Sequence, residues 1–499
     1  MTTFVFFVGG TGARVLRSMV MLMASGVEVK DNGRIVPVII DYDIENGDLK
    51  QAKDLLDSYN TLCQGASYQD SEKGFFKQKV ETERFSYAAI QFDASKNTFG
   101  RFLAYDSMDN STKKLMESLY DNSPSDVPTT ELNLDLSVGF KGNPNIGSVV
   151  FNDYFSDMKW GFRDFMNSVK EGDRIFVVGS IFGGTGSSGI PQLIKRLEQT
   201  GSETKSNMTA VINAMKGACI VLPYFGVKQD DGSAVDSRTF NSKAKAALSY
   251  YETAINDSLD EVYYIGSREQ RAYENCEGGA AQKNNAHLVE LLAAMSIFEF
   301  ADRKFDHAHK DGHVAAYEFG TKYGFNESNH TLNTTTYLDF LGFDINNPVD
   351  CKYVSNLNEF AYFVKYALLN IYTDKPDDDS RGLFHGAQAY YKSLGANISK
   401  DTDFGRRLSD FCRRFVAWSN EMATNAQLKF KPYNFDTANL DEVLCVNSNM
   451  PKAKGVDNAM KMALNNTNEE YKGKSLKAEQ VFMRCAYNAG LAAVEKKLN

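Results

Sequence analysis

Residues 174–189 read RIFVVGSIFGGTGSSG, and this stretch decides the fold. The strand candidate Arg174–Val178 is apolar after its first residue, as a buried parallel strand must be. The turn Gly183–Gly189 holds four glycines and three hydroxyl residues, and the helical pattern Ser188–Glu198 begins within it. Glycines let a backbone approach an anion closely, and a helix N-terminus adds free N–H groups. The stretch therefore predicts a strand, a phosphate-binding turn and a helix.

The same order of apolar run and helical pattern recurs along the first half of the chain. Further strand candidates are Phe4–Val8, Ile35–Ile40, Ala218–Pro223 and Glu261–Ile265. Further helical patterns are Ala13–Met23, Ser237–Ala254 and Ala286–Lys304. Apolar strands that alternate with amphipathic helices predict an α/β fold, with a Rossmann-like parallel sheet covered by helices on both faces.

Two parts of the chain depart from this alternation. The long polar stretch 45–138 is interpreted as an insertion at the edge of the sheet. From about Asp306 strand signals are few, and helical patterns cover Glu359–Tyr372, Phe384–Leu394, Gly405–Gln427 and Leu476–Lys497. We therefore predict a nucleotide-binding domain over residues 1–305 and a mainly helical domain over residues 306–499.

The composition is that of an ordinary globular protein. Hydrophobic residues make up 43% and charged residues 24% of the 499 positions, which excludes disordered and collagen-like classes. A net charge of −9 argues against nucleic-acid binding, and no apolar run approaches the roughly 20 residues that span a membrane. The seven cysteines are scattered, so neither a disulfide framework nor a cysteine zinc site is indicated. The start of the chain lacks the basic region of a signal peptide, and we expect a cytoplasmic protein.

Three more polar loops lie where an α/β protein binds a ligand. Gly9–Arg14 follows the strand Phe4–Val8 and suits phosphate binding at a helix N-terminus, or simply a tight turn. Asp41 and Asp43 follow the second strand, where acids accept hydrogen bonds from a ribose or hold a metal beside phosphates. A solvated strand end or a helix cap is the alternative there. Gly139–Gly147 has three glycines and a proline, and its backbone N–H groups suit oxygens.

Together these segments resemble the tubulin/FtsZ family. Gly183–Gly189 resembles its G-G-G-T-G-[ST]-G phosphate loop, with Phe182 in place of the first glycine. Gly139–Gly147 resembles the FtsZ loop G-x-G-A-G-A-N-P-x-x-G, which faces the γ-phosphate, although Lys141 departs from it. The other resembling segments are Gly9–Arg14, Asp41–Asp43, Val221–Phe225 and Tyr263–Ser267. Six segments in the family's order are far more specific than any one of them.

The resemblance implies a divergent bacterial tubulin-like protein that binds GTP or GDP, together with Mg²⁺. It also implies GTP hydrolysis at the junction between subunits and head-to-tail self-assembly into cytoskeletal filaments. The nucleotide-binding residues that it indicates are Gly10, Thr11, Gly12, Asp41, Asp43, Gly142, Asn143, Gly183, Gly184, Thr185, Gly186, Ser187, Ser188, Asn284 and Asn285.

Two other functional classes stay open. The helical C-terminal region is not explained by the family, and it favours a non-polymerising nucleotide-binding switch or scaffold that binds a protein partner through this region. An NAD-dependent oxidoreductase built on Gly9–Arg14 is a third class. It explains neither Gly139–Gly147 nor Gly183–Gly189.

The base-binding and catalytic residues are less defined. Asn284 and Asn285 open the helical pattern that resembles the family's central helix, where an amide side chain reads guanine; as an alternative, either residue caps the helix. A rival alignment makes Glu290 the catalytic acid, but it would delete the central helix. We therefore expect the catalytic loop just after that helix, where Asp306 and Glu327 are candidates.

Two further clusters have both a functional and a structural interpretation. His307, His309 and His313 have the spacing of zinc ligands, or form a polar helix end. A row of arginines at roughly helical spacing, with apolar residues between them, indicates an amphipathic surface helix or a partner-binding face. The row consists of Arg406, Arg407, Arg413 and Arg414.

Overall fold

The computed structural model of the protein describes residues 1–43, 45–82, 94–120, 131–156, 162–199, 208–227, 240–267, 272–273, 279–304, 315–326, 331–338, 343, 351–373, 389–425, 430–445 and 454–498. Within these ranges, none of the helices is both long enough and apolar enough to cross a membrane.

The described ranges contain nine strands, and seven of them form one sheet. The strands are β1 (Thr2–Val8), β2 (Arg34–Ile40), β3 (Arg174–Ser180), β4 (Met215–Val221), β5 (Gly226–Val227), β6 (Glu261–Ile265), β7 (Ala272–Tyr273), β8 (Ala315–Asn326) and β9 (Thr331–Leu338). The sheet has the order β2-β1-β3-β4-β6-β8-β9; its first six strands are parallel, and β9 runs antiparallel to β8 at the edge. The short strands β5 and β7 pair with each other. The predicted α/β fold with a parallel sheet is confirmed.

Successive residues of the central strand β1 point to opposite faces of the sheet, as the pleat requires. Phe4, Phe6 and Val8 belong to one buried cluster, and Val5 and Phe7 belong to the other. We call the side of Val5 and Phe7 face A and the opposite side face B. Because helices cover both faces, the run Phe4–Val8 is apolar at every position.

Fifteen α-helices lie in the described ranges. They are α1 (Gly9–Ala24), α2 (Gly47–Ala66), α3 (Phe99–Phe102), α4 (Asn110–Tyr120), α5 (Pro144–Ser156), α6 (Phe162–Ser168), α7 (Gly184–Gln199), α8 (Met208–Asn213), α9 (Phe240–Ala254), α10 (Leu288–Asp302), α11 (Lys352–Asn370), α12 (Ala389–Ile398), α13 (Asp403–Ala423), α14 (Val456–Glu470) and α15 (Ala478–Leu498). Helices α1, α2 and α10 pack on face A, whereas α5 to α9 pack on face B. Since α10 is buried on almost every side, it occupies the central position predicted for this segment.

Helices α11 to α15 share the hydrophobic core of face A. The ring of Phe411 packs edge-on against the ring of Phe76, with centroids 4.9 Å apart. Trp418 Nε1 donates to Ser18 Oγ of α1 at 3.3 Å. The C-terminal region is therefore helix-rich, as predicted, and it buries its apolar residues against the helices of face A.

Two expectations about the organisation of the chain need correction. β8 and β9 extend the main sheet, although the patterns after Asp306 predict few strands. Their sequences are rich in glycine and threonine and lack a continuous apolar run, so the hydrophobic pattern does not mark them as strands. Helix α2, inside the stretch 45–138, packs against α1 and α13. This part of the stretch therefore belongs to the core and not to the edge of the sheet.

Helix α13 is amphipathic, as its arginine row predicts. The buried side contains Leu408, Phe411, Phe415, Trp418 and Met422. On the exposed side Arg406 and Arg407 both pair with Asp403, and Arg414 pairs with Asp410. Such exposed pairs, three or four residues apart, contribute little to stability because solvent screens them. The interpretation as a surface helix accounts for these arginines.

Candidate functional site

The strand order places a topological switch between β1 and β3. β1 leads into α1 on face A, whereas its neighbour β3 leads into α7 on face B. The two connections diverge at the carboxyl ends of these strands and leave a crevice, which is where open α/β sheets bind ligands. Gly9–Arg14 and Gly183–Gly189, predicted from the sequence as phosphate loops, are these two connections.

Three predicted loops meet in this crevice through their backbones, and residues 9–12, 139–143 and 183–186 form its border. A Cβ atom on Gly9 would lie 3.3 Å from the nitrogen of Gly186, and one on Gly184 would lie 3.1 Å from the nitrogen of Gly142. Gly9 also has φ at +74°, which glycine adopts without strain. The glycines therefore allow the backbones of these three loops to lie closer together than side chains would permit.

Three helices begin at the crevice. α1 begins at Gly9, α5 at Pro144 and α7 at Gly184. Among the described residues, no side chain caps the first N–H groups of α1 at Val8. Proline suits the first position of α5 because that N–H would have no partner in the helix. Each helix N-terminus carries a partial charge of about +0.5, so their convergence gives the crevice an arrangement of backbone groups that favours an anion.

The three hydroxyl residues of the turn Gly183–Gly189 differ in what they contact. Ser188 is fully buried and donates to the Gly184 carbonyl oxygen at 2.6 Å. Ser187 donates to the carbonyl oxygen of Gly183. These bonds to the preceding helical turn are the usual use of a serine inside a helix. Thr185, which is half-buried, lies nearest the crevice: its Oγ1 is 3.8 Å from the position of a Cβ on Gly139.

Asp41 and Asp43 are buried rather than solvated. Asp41 Oδ1 accepts the N–H of Asp43 at 3.2 Å, while Asp41 Oδ2 has no partner among the described residues. Burial raises the pKa of Asp41 to about 7. Asp43 accepts the N–H of Gly279 at 2.6 Å and that of Glu45 at 3.2 Å, and burial raises its pKa as well. These two acids therefore border the crevice at the carboxyl end of β2.

The helix cap before α10 differs from the predicted one. His287 caps α10: its Nδ1 accepts the N–H of Val289 at 3.0 Å, and its own N–H donates to Glu290 at 3.0 Å. Burial lowers the pKa of His287 to about 3, which keeps the ring neutral and able to accept. The interpretation of Asn284 or Asn285 as the cap is therefore wrong. The sequence did not indicate this cap, because histidine is not among the usual N-cap residues.

The two asparagines that were predicted to read the base have different environments. The backbone N–H of Asn284 donates to Asp48 Oδ1 at 3.0 Å, and its side-chain amide donates to Asp48 Oδ2 at 3.3 Å. Asn285 is exposed. Asn284 thus ties the segment before α10 to the N-terminus of α2, whereas Asn285 presents its amide to solvent.

A buried ion cluster that the sequence analysis missed lies under the first loop. Arg14 donates to Glu290 at 2.6 Å, to Asp48 at 2.8 Å and to the hydroxyl of Tyr224 at 2.8 Å, and Tyr224 donates to Glu290 at 2.6 Å. Burial opposes the charge of Arg14, but Tyr224, Glu290 and Asp48 outweigh it and hold its pKa above the ordinary value. The visible signals were a charged residue within the apolar helix α1 and the tyrosine inserted after β4.

This cluster also bears on the rival catalytic assignment. Burial raises the pKa of Glu290, and its two oxygens accept from Arg14, Tyr224 and the N–H of His287. An acid engaged in this way holds α10 against α1. It is not placed to orient a water molecule.

Several candidates fall outside the described residues. They are Asp306, Glu327, His307, His309 and His313. Within the described ranges, no group of three or more His, Cys, Asp or Glu side chains is arranged to hold a metal ion.

A cavity of about 270 Å³ lies away from the crevice, near the amino end of β2. Its charged side chains pair with one another: Lys77 with Glu28 at 2.9 Å, and Lys79 with Asp70 at 3.1 Å. It shares no residue with the crevice.

No family model matches the chain, and no curated protein is similar to it. Similar solved structures include CetZ from Methanosaeta thermophila strain DSM 6194, with 14% identity and a TM-score of 0.30, over 66% of this chain and 64% of CetZ. An FtsZ mutant from M. jannaschii has 12% identity and a TM-score of 0.29, over 65% of this chain and 67% of that one. A GTPγS-bound protofilament of CetZ2 from Haloferax volcanii has 12% identity and a TM-score of 0.28, over 65% of this chain and 67% of the CetZ2 chain.

Proposed function

We propose that the chain binds a guanine nucleotide, GTP or GDP, in the crevice between β1 and β3. The observation that carries the proposal is the convergence of three helix N-termini on glycines packed backbone to backbone. A phosphate chain uses this density of N–H donors and positive dipole ends, whereas a plain turn does not need it. The choice of guanine rests on the resemblance of the loops to the tubulin/FtsZ family.

The proposal gives the site residues different roles. Backbone N–H groups and the Thr185 hydroxyl bind the phosphates, through Gly10, Thr11, Gly12, Gly142, Asn143, Gly183, Gly184, Thr185 and Gly186. Ser187 and Ser188 support the turn, because their hydroxyls already donate to carbonyl oxygens. Asn285 reads the base with its exposed amide, and Asn284 orients that segment through Asp48.

Mg²⁺ fits beside the phosphates, with Asp41 as its protein ligand. Proteins bind Mg²⁺ through one or two carboxylates together with phosphate oxygens, and Asp41 Oδ2 has no partner among the described residues. Asp43 is less suited because both of its carboxylate oxygens accept backbone N–H groups. The ion would neutralise phosphate charge. A proton on Asp41 would compete with it at acidic pH.

We extend the proposal to GTP hydrolysis that depends on a second copy of the chain. Within the described part of the site, Asp41 and Asp43 are buried, while Asp48 and Glu290 bind Arg14. None of these four carboxylates is placed as a general base toward a water molecule on the phosphates. In the family that the motifs resemble, an acid from a neighbouring subunit completes the site, and we propose head-to-tail self-assembly on that resemblance.

The direct test is the nucleotide that purified protein carries. Denaturing the protein and separating the released small molecules by chromatography should yield GTP or GDP. Calorimetry should then give tighter binding of GTP and GDP than of ATP or NAD. Release of NAD, or failure to bind any guanine nucleotide, would overturn the assignment.

A matched pair of variants tests where the phosphates lie. Among the described atoms, a Cβ on Gly183 would meet only Ser180 Oγ, at 3.5 Å, so a small side chain fits there. Gly183→Asp adds a negative charge beside the N-terminus of α7. At about 4 Å from a phosphate it should cost about 1–4 kcal/mol, a loss of about fivefold or more in affinity. Gly183→Asn has the same shape without the charge and should bind much better; equal affinities of the two variants would contradict this placement.

Sedimentation and electron microscopy with GTP, GDP and no nucleotide test self-assembly. GTP-dependent filaments of the isolated chain would support a cytoskeletal polymer. A discrete nucleotide-bound species in light scattering would favour the switch or scaffold instead. One contact favours that alternative: Glu421 of α13 pairs with Arg17 at 2.7 Å and accepts the N–H of Ala286 at 2.7 Å. The C-terminal helices thereby touch the segment next to the proposed base site.

A further inference from the structure

A proline interrupts the hydrogen bonding of α7 close to the crevice. Pro191 lies inside this helix, and proline has no N–H to donate to the carbonyl oxygen four residues earlier. That carbonyl belongs to Ser187, in the turn Gly183–Gly189. Ser187 is 6% exposed, and a buried backbone carbonyl without a donor is costly. The helix therefore needs a hydrogen-bond donor from outside itself at this position.

Tyr251 of α9 supplies this donor. Its hydroxyl donates to the carbonyl oxygen of Ser187 at 2.8 Å, and its side chain is buried. No sequence motif marks the pair, because the two residues lie 64 positions apart. Helix α9 also reaches the second loop of the crevice, where Lys243 Nζ donates to the carbonyl oxygen of Gly142 at 2.8 Å. Side chains of α9 therefore contact the backbones of two of the three loops that border the crevice.

The Ser187 carbonyl starts a row of hydrogen bonds that ends at the crevice. Its peptide group also carries the N–H of Ser188, which bonds within α7 to the carbonyl oxygen of Gly184. The peptide group of that second carbonyl carries the N–H of Thr185, one of the first donors of the helix, which have no partner within it. Hydrogen bonds in such a row polarise one another, by about 10–30% per bond. The Tyr251 hydroxyl therefore both fixes the first turn of α7 and strengthens the Thr185 donor.

We propose that Tyr251 is a positioning residue for phosphate binding, and that it acts through the Ser187 carbonyl on the first turn of α7. Pro191 makes this turn depend on α9, because it removes the donor that an uninterrupted helix provides for itself. Helix ends fray, so without the hydroxyl the first turn relaxes while the crevice is empty. A phosphate chain must then restore the geometry of the turn as it binds. This inference rests on the proposed nucleotide site.

The test is a double-mutant cycle on Tyr251 and Pro191, measured by calorimetric titration of GTP and of GDP into the full chain. Tyr251→Phe removes only the hydroxyl, and it should weaken both nucleotides about twofold to tenfold, the range of one hydrogen bond. Pro191→Ala returns an N–H to the Ser187 carbonyl. In that background Tyr251→Phe should therefore change either affinity by less than about twofold. Tyr250→Phe is the matched control, because that hydroxyl bonds to Lys195 at 2.7 Å instead, and it should change neither affinity.

Rescue by Pro191→Ala separates this role from a merely structural one, because general damage by Tyr251→Phe would persist in that background. Unchanged affinities in Tyr251→Phe, or an equal loss in both backgrounds, would overturn the role of Tyr251 while leaving the nucleotide site intact. A wild type that binds neither nucleotide would overturn the proposed function and this inference with it. Should Tyr251→Phe fail to fold, the double variant should still fold and bind GTP as tightly as Pro191→Ala does. Failure of the double variant on either count would also overturn the role of Tyr251.

Discussion

Replacing Asp41 by asparagine should change how the stability of the protein depends on pH. Asp41 is 2% exposed, and burial raises its pKa from the ordinary 3.8 to about 7. Between these two values the carboxyl group is protonated in the folded protein and ionised in the unfolded chain, so folding takes up a proton. Raising the pH through this window therefore favours unfolding.

The size of the effect is set by the shift in pKa. A rise of about three units corresponds to about 4 kcal/mol, because each unit is worth about 1.36 kcal/mol. The contribution of Asp41 is fully present below about pH 4 and is lost by about pH 7. Asp41→Asn has no group that titrates there, so its stability should fall less over the window by up to that amount. The burial of the new amide adds a cost of about 1–3 kcal/mol that does not depend on pH. Comparing the slopes of unfolding free energy against pH removes this cost.

The assay is urea unfolding of nucleotide-free protein at several pH values between about 4.5 and 8, the window set by Asp41. Asp54→Asn is the control, because it makes the same change at an exposed position of α2. If the curve of Asp41→Asn runs parallel to the wild type, Asp41 ionises normally in the folded protein, and the reasoning from burial fails.

The same substitution should act in the opposite direction on ligand binding. An asparagine cannot supply the anionic oxygen that Mg²⁺ prefers, so Asp41→Asn should weaken GTP binding in the presence of Mg²⁺ and change it little in EDTA. A variant that becomes relatively more stable above pH 7 and yet binds less tightly is the signature of a functional buried acid. Unchanged Mg²⁺-dependent affinity would remove Asp41 from the metal site.

Three further substitutions test the packing around the crevice. Gly186→Ala should destabilise the fold by about 1–3 kcal/mol, because its Cβ would lie 2.3 Å from the Ser180 carbonyl oxygen. Thermal unfolding of this variant is compared with that of Gly183→Ala, a position where a Cβ fits, and equal unfolding midpoints would contradict the prediction. Arg14→Met should cost about 3–5 kcal/mol in urea unfolding because it leaves two buried carboxylates unpaired, and a loss below about 1 kcal/mol would mean that the cluster relaxes. Glu421→Ala should cost about 1–2 kcal/mol and speed hydrogen exchange at the Ala286 amide, whose acceptor it removes; unchanged exchange would contradict that contact.

The strands of the sheet could be predicted closely from the sequence. β3 and β6 begin at Arg174 and Glu261, where the patterns place them, because a continuous apolar run follows each of these charged residues, as is typical of strands buried on both faces. β8 and β9 could not be predicted in this way, since neither sequence contains a continuous apolar run. The start of α10 at Leu288 was also missed by two residues, because its cap is a histidine that accepts only while burial keeps it neutral.

The site was partly predictable for a similar reason. Glycine clusters after strands are local signals, and the parallel order of the strands brings their carboxyl ends to one edge. The buried cluster left no local signal, because Asp48, Tyr224 and Glu290 lie 34, 210 and 276 residues from Arg14. Pairings at such separations become visible only when the sheet order and the two helix layers are known.

The two walls of the crevice are held by different kinds of interaction, and this bears on which wall a ligand can reorganise. The face A wall is fixed by the buried cluster around Arg14, and Glu421 joins it to the C-terminal helices. Removing one partner from such a cluster is costly, so this wall resists rearrangement. The face B wall depends on a loop with two left-handed residues and on the bond from Lys243 to Gly142. Because that bond is partly exposed to solvent and Lys141 holds a left-handed backbone, a ligand bound in the crevice should alter residues 139–143 more than the face A wall.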